Sequence, residues 1–234
     1  MPRRRRLSLT PAHVALVHRA VADPGPQPGI NEQTAAGYDA WVARIVAAHP
    51  APCGPTRVFV YGSLIWKPEI PHVAEREATA HGWHRSFCFR VPRYRGSPDF
   101  PGLMMALDRG GSCRGLLLDL PDGDLEGQLA RLFRREFSTE PPNSMPRWIR
   151  VTTAEGPCPA LAFVMNRASR QYAGRLPEAE VARILARACG HWGSGAEYLM
   201  NTVAHLEERG IRDRGLWRLQ RLVAARIEAD HAGG

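Results

Sequence analysis

The spacing of apolar residues changes period twice along this chain, and those two changes limit the folds open to it. From Arg57 the pattern is extended: Val58, Phe59, Val60 and Tyr61 read as a short buried strand that stops abruptly at Gly62-Ser63. Further strands are predicted at residues 78–91, 103–107, 114–120, 148–153 and 160–165, with Asp108-Arg109-Gly110-Gly111 as a hairpin turn between two of them. From Pro177 the period becomes helical, over Pro177 to Cys189, Gly195 to Arg209 and Asp213 to Ala229. One amphipathic helix, Asp124 to Phe137, stands among the strands. Strands and helices are thus grouped rather than strictly alternating. That predicts an α+β fold with a mixed or mostly antiparallel sheet or small barrel, not a doubly wound sheet.

Ahead of the strands lies a helical extension, residues 1–52. Thr10-Pro11 reads as an N-cap and first helical position, followed by Val14, Val17, His18 and Val21 at helical spacing until the prolines from Pro24 to Pro28. A second helix is predicted from Thr34 to Ala48, with Tyr38, Trp41, Val42 and Ile45 on one face, stopped by His49-Pro50-Ala51-Pro52. Neither helix carries paired acid-base chemistry, so the extension reads as packing for the main domain, residues 56–230. With 234 residues, 44% of them hydrophobic, the chain has enough material for one sizeable core.

Charge and cysteine usage narrow the functional classes. The net charge is +8, from 31 Lys+Arg against 23 Asp+Glu, but Lys67 is the sole lysine and the excess is spread along the chain. Beyond Arg3 to Arg6 no dense basic stripe is interleaved with aromatics, so nucleic acid is not the expected partner; an anionic small substrate fits the same charge. Nothing approaches the ~20 apolar residues of a membrane-spanning helix, and no apolar signal core follows the arginines, so no membrane association and a cytoplasmic location are expected. The cysteines at 53, 88, 113, 158 and 189 form no C-x-x-C pair and read as reduced structural thiols. The histidines form no H-x-x-x-H or H-E-x-x-H pattern, so no metal site and no cofactor are expected.

Two places could carry chemistry. In the inserted helix the inward row Leu125, Leu129, Leu132 and Phe133 continues at helical spacing onto Glu136. A carboxylate on a core-facing row has its pKa raised by burial, as a general acid/base near neutrality requires. The other reading pairs Glu136 with Arg134 or Arg135, or frays it outward. The second place is Tyr61-Gly62-Ser63-Leu64-Ile65-Trp66, where a glycine after a buried strand brings the backbone close to a ligand and successive N–H groups form a concavity for a carboxylate or polarised carbonyl oxygen. An ordinary turn is the plain alternative. Ser63 as a hydrolase nucleophile is a third, without the G-x-S-x-G elbow that reading requires.

These segments, taken in order, resemble the ChaC-like γ-glutamylcyclotransferases. The resemblance runs through Tyr61 to Trp66, His81-Gly82-Trp83-His84-Arg85-Ser86-Phe87-Cys88, Arg95-Gly96-Ser97-Pro98, Leu107 to Gly115 and Arg134-Arg135-Glu136. It continues through Ala160 to Val164, Gln171-Tyr172-Ala173-Gly174 and Glu197-Tyr198-Leu199, covering roughly residues 56 to 225. The resemblance implies a small mixed β-barrel flanked by helices. It also implies an enzyme that cleaves glutathione or another γ-glutamyl peptide to 5-oxoproline without metal or cofactor. It further implies that Glu136 is the catalytic acid/base, and that Val60, Tyr61, Gly62, Ser63, Leu64 and Ile65 hold the γ-glutamyl group. Tyr172 would line the pocket. Read from the residues themselves, His84, Arg85 and Arg95 either orient the glycine carboxylate of the substrate or are ordinary barrel-surface residues. Departures from the family pattern are Val60 for a smaller residue, Tyr94 for histidine, and the run Phe137-Ser138-Thr139-Glu140-Pro141-Pro142 after Glu136. They bear on substrate preference more than on the reaction. A non-catalytic γ-glutamyl or peptide-binding module on the same fold is the alternative of a different class.

Overall fold

A computed structural model describes residues 6–50 and 54–232. Arg3, Arg4 and Arg5 of the arginine run, Ala51 and Pro52 of the expected helix stop, and Cys53 lie outside the described residues. In chain order the elements are α1 (Pro11–Val17), β1 (Asn31–Glu32), α2 (Ala35–Ala47), β2 (Arg57–Val60), a single 3-10 turn (Ser63–Ile65), β3 (Ala74–Val91) and β4 (Gly102–Asp119). Then follow α3 (Leu125–Glu136), β5 (Thr139–Glu140), β6 (Ser144–Thr153), β7 (Gly156–Met165), α4 (Glu178–Leu185), β8 (Cys189–Gly190), β9 (Gly193–Ser194), α5 (Gly195–Glu208) and α6 (Arg214–His231). Five strands close a mixed barrel in the order β2-β4-β3-β6-β7, as the resemblance implies. Among the described residues no helix is long and apolar enough to cross a membrane.

The chain divides into two compact units. One comprises residues 26–86 and 106–172, and its centre is β2. This four-residue strand pairs antiparallel with β4, from Arg57 opposite Asp119 to Val60 opposite Leu116, and parallel with β7, where Val58 meets Leu161. Val58, Phe59 and Val60 are accordingly fully buried. A long hairpin of β6 and β7, registered from Ser144–Met165 to Thr153–Gly156, makes the neighbouring wall. Because β2 and β7 run parallel, both deliver their C-terminal ends to the same rim.

The amphipathic helix forms where its pattern predicts. Asp124 accepts a hydrogen bond from Gly127 N–H at 2.8 Å as the N-cap, and the backbone turns extended at Phe137. Its buried row of Leu129, Leu132 and Phe133 lays Phe133 edge-on against Phe163 of β7, with ring centroids 5.9 Å apart. Phe137 packs on Phe133 and, on its other side, on Tyr38 of α2, each at 5.5 Å. The segment after Glu136 that departs from the family pattern thus begins with an aromatic anchor between two helices. The second N-terminal helix is also close to expectation: Thr34 caps it by accepting from Gly37 N–H at 3.0 Å, and Tyr38, Val42 and Ile45 are buried.

Two strands expected on either side of a hairpin turn are one continuous strand, β4. Its early part meets β7 in parallel at Leu107–Val164, whereas its late part runs antiparallel to β2, which itself runs parallel to β7. The strand therefore turns over between Leu107 and Leu116, at Gly110 and Gly111, whose φ values of 110° and 68° suit glycine. The turn chemistry was legible; the unbroken ladder was not, because it depends on partners far along the chain.

The other unit comprises residues up to Gly25, then 87–105 and 173–234. Here α1, α4, α5 and α6 pack together, with Val223 and Ile227 of α6 and Leu199 of α5 fully buried. The first helix stops at Val17, its sole buried residue, short of Val21. The helix expected through Cys189 ends at Leu185. Cys189 and Gly190 instead pair with Gly193 and Ser194, and a side chain at 190 would stand 2.2 Å from the Tyr94 carbonyl oxygen.

Gly115 of β4 tests how tightly β2 is held. A Cβ there would lie 2.4 Å from the Val60 carbonyl oxygen and 2.8 Å from Phe59 Cζ. Gly115→Ala is expected to destabilise the protein by about 1–3 kcal/mol, as overpacking does, in urea unfolding. An unchanged unfolding midpoint would show that β2 yields.

Candidate active site

The rim where β2 ends gathers most of the residues singled out from sequence. Val60, the last strand residue, is barrel wall with no exposure. Tyr61 is 9% exposed and held at both ends: its hydroxyl donates to the Phe163 carbonyl of β7 at 2.9 Å, and its own carbonyl accepts from Arg85 Nε at 2.7 Å. Arg85 Nη2 also donates to the Arg114 carbonyl, so one guanidinium of β3 links β4 to the start of the turn.

The 3-10 turn follows at once. Its internal bonds run from Ile65 N–H to Gly62 O at 2.9 Å, and from Trp66 and Lys67 N–H to Ser63 O at 3.1 and 2.8 Å. None of the three uses the N–H of Gly62, Ser63 or Leu64, as expected for the first residues of a helical turn. Leu64 and Ile65 are buried at 6% and 5%, anchoring the turn, while Ser63 is half-buried.

Glu136 lies at the end of α3, sheltered from solvent and paired with Arg135 at once. Its side chain is 16% exposed, and Arg135 Nε stands 3.1 Å from its Oε1. Burial pushes the carboxyl above the ordinary glutamate value; Arg135 opposes this by charge and hydrogen bond, and the nearby negative charge of Glu69 adds to the rise. The small solvent opening does not offset the crowding of protein atoms around the carboxyl. Arg134 points elsewhere, with its guanidinium 5.3 Å from the Tyr38 ring centroid.

Two routes tie Glu136 to the turn after Tyr61. The polar route runs from Glu136 through Arg135 to Glu69, whose other carboxylate oxygen is 2.9 Å from Lys67 Nζ, just past the turn. Hydrogen bonding from Lys67, followed by the charge of Arg135, lowers the Glu69 pKa. The apolar route runs from Tyr61 to Phe163 and from the Phe163 ring to Phe133, one helical position before Arg134. A carboxyl raised above its ordinary value by burial, in the same unit as N–H groups free of the turn's own bonds, has the chemistry to move a proton while the backbone holds an oxygen.

Tyr172 belongs to the same unit. Its hydroxyl donates to Asp108 Oδ2 at 3.0 Å, and Asp108 also accepts from Arg167 Nε at 2.7 Å and Arg109 N–H at 2.9 Å. Asp108 is 5% exposed, and although burial acts against its charge, these donors hold its pKa below the ordinary value. It follows Leu107, the residue paired with Val164, and so lies near Phe163, the partner of Tyr61. Arg95 lies in the other unit, where its Nη1 donates to Glu197 Oε2 at 2.8 Å and to the Ser194 carbonyl at 3.0 Å. The structure thus brings the turn, Glu136 and Tyr172 into one unit, and gives Arg95 partners within its own.

Sequence reading missed Asp108, hidden in a hairpin-turn motif, and left Arg85 undecided between substrate contact and barrel surface. Alternation along β3 cannot reveal a side chain that bonds a backbone carbonyl 24 residues away. Among the described residues no group of three or more His, Cys, Asp or Glu side chains is arranged to hold a metal.

The model of the ChaC-like protein family matches residues 56–226. The glutathione-specific gamma-glutamylcyclotransferase of Escherichia coli strain K12 is 34% identical over 164 residues, 70% of each chain. Gamma-glutamylcyclotransferase 2-3 of Arabidopsis thaliana is 28% identical over 167 residues, 67% of this chain and 82% of that one. The crystal structure of the yeast γ-glutamyl cyclotransferase specific to glutathione shares the fold, with a TM-score of 0.67 at 19% identity over 75% of this chain and 98% of that one. On the extent of the family match and the similarity to the bacterial relative, the chain belongs to the ChaC-like family and is a homologue of the glutathione-specific γ-glutamylcyclotransferases.

Proposed function

We propose that the protein cleaves glutathione into 5-oxoproline and cysteinylglycine, with Glu136 as the general acid/base. The observation that carries this reading is the sheltered Glu136 carboxyl, raised by burial and tied to the turn after Tyr61. The α-amine of a γ-glutamyl amide reaches its own γ-carbonyl carbon, so neither a protein nucleophile nor a water is consumed. Glu136 as carboxylate takes a proton from the α-ammonium. The freed amine attacks the γ-carbonyl carbon and closes a five-membered ring. The bond to the cysteinyl nitrogen then breaks as that nitrogen receives the proton held by Glu136, and the second proton of the new ring nitrogen passes through the same carboxylate to the departing amine, which leaves as an ammonium. The N–H groups of Gly62, Ser63 and Leu64 hold the glutamyl carboxylate or the oxygen that gains charge, and folding the flexible chain into attack geometry supplies the entropic part. The names of the relatives support glutathione as substrate. The described cysteines are all free thiols, which suits a reducing cytoplasm.

The Arg135–Glu136 pair favours one other reading, a binding module in which the carboxylate is merely neutralised. Release of 5-oxoproline from glutathione by the purified protein separates the two. A panel of other γ-glutamyl compounds assayed alongside defines substrate preference.

Glu136→Gln keeps the shape but cannot shuttle protons, and turnover is expected to fall at least ~100-fold. Persistent 5-oxoproline formation in that variant would remove Glu136 from the role. Because the carboxyl titrates above the ordinary glutamate value, its protonated form is stabilised by folding. That stability is full below the unfolded pKa and is lost as pH rises through the folded one. The acid limb of kcat/KM is therefore expected above about pH 4.3, the ordinary glutamate value, with activity rising as Glu136 ionises. Arg135→Met should move that limb to higher pH, and an unmoved limb would assign it to another group. Arg85→Met leaves the Tyr61 carbonyl without its guanidinium donor and should lower kcat/KM by about 10-fold, the usual worth of a lost charged hydrogen bond. Steady-state kinetics on a variant with wild-type circular dichroism measures this; unaltered kcat/KM would leave Arg85 a purely structural link.

A further inference from the structure

A second concavity, of about 520 Å3, lies in the unit that carries the C-terminal helices and is lined by Arg6, Ser8, Arg212, Arg214, Trp217, Arg218 and Arg221. Its volume falls within the ~300–1,000 Å3 typical of small-molecule sites. One wall is the N-terminal half of α6. The lip is the N-terminal segment, pinned along that helix where Leu9 N–H donates to the fully buried Gln220 Oε1 at 2.7 Å. Arg6 and Ser8 lie outside residues 56–226, so a segment beyond the family match completes this site.

The charges do not balance. Arg218 is paired with Glu178 at 2.6 Å, and Arg212 stands 3.6 Å from Glu207, which also accepts from Trp217 Nε1 at 2.5 Å. Asp213 is committed to capping α6 through Leu216 N–H at 3.0 Å. Among the described residues Arg6, Arg214 and Arg221 pair with no carboxylate, and all three are exposed. Three uncompensated guanidinium groups around one hollow repel each other until an anion enters. Each presents a rigid fork of donors that matches phosphate oxygens two at a time. The positive end of α6 adds to the same field. The indole of Trp217 gives the site an apolar wall.

We propose that this concavity binds a ligand bearing two or more linked phosphates, at a site separate from the proposed chemistry of Glu136. Inorganic polyphosphate and a nucleoside polyphosphate share that group, and Trp217 is the residue that would tell them apart.

The test uses the full chain with sodium tripolyphosphate as probe, read by thermal shift and isothermal titration, against sodium chloride at matched ionic strength. A saturable rise in melting temperature is expected with tripolyphosphate. The Kd should weaken at least about 10-fold in Arg214→Ala/Arg221→Ala, while glutathione turnover stays at the wild-type rate. Arg6→Ala, a change in the lip alone, should weaken binding in the same direction and serves if the double variant folds poorly. Adenosine triphosphate binding tighter than tripolyphosphate, with the difference lost in Trp217→Leu, would identify a nucleotide ligand; equal binding would identify bare polyphosphate. A shift matched by chloride, binding retained in both arginine variants, or saturation by single-stranded RNA that tripolyphosphate cannot displace would each overturn the proposal.

Discussion

The shortest strand of the barrel sets the conditions for everything around it. β2 offers four residues, yet it must satisfy β4 on one side and β7 on the other, and it does so with three consecutive side chains wholly out of water. Both backbone edges of this buried strand meet a neighbouring strand, which is the requirement that makes a closed sheet favourable. The same closure fixes where the chain emerges. Tyr61 is the first residue free of the ladder, and its two ends are taken up by a strand carbonyl and a guanidinium. The turn that follows inherits a fixed starting direction.

At Glu136 the fold holds two opposing effects in one place. Removing a carboxyl from water favours its protonated form, while the adjacent guanidinium favours the ionised one. Arg135 is itself shared with Glu69, so part of its charge is already answered. A lone arginine beside a buried acid would hold it fully ionised. A lone buried acid would stay protonated. The shared arrangement leaves the carboxyl raised above its ordinary value yet accompanied by a cation.

Local features of the fold were legible because they depend on neighbours in sequence. The starts of α2 and α3 at Thr34 and Asp124, the row of apolar residues in α3 and the end of β2 ahead of Gly62 each follow from spacing over a few residues. The reach of β4 did not, since its continuity across Gly110 and Gly111 is decided by which strands lie beside it. The same holds for the site. Glu136 could be found from its place on a helix face, whereas Asp108 gains its meaning from Tyr172, 64 residues later, and Arg85 from a carbonyl on another strand. Backbone acceptors carry no signature in side-chain identity.

The β6–β7 hairpin has a practical corollary. It reverses at Thr153-Ala154-Glu155-Gly156, and β7 then runs the length of the barrel before reaching the rim that holds Tyr61. Ala154 and Glu155 are exposed, and Gly156 turns at φ 115°. A fluorophore, an affinity peptide or a fused reporter domain spliced in at this bend would hang from the far end of the barrel, away from the rim that holds Tyr61 and leaving that rim open to small molecules.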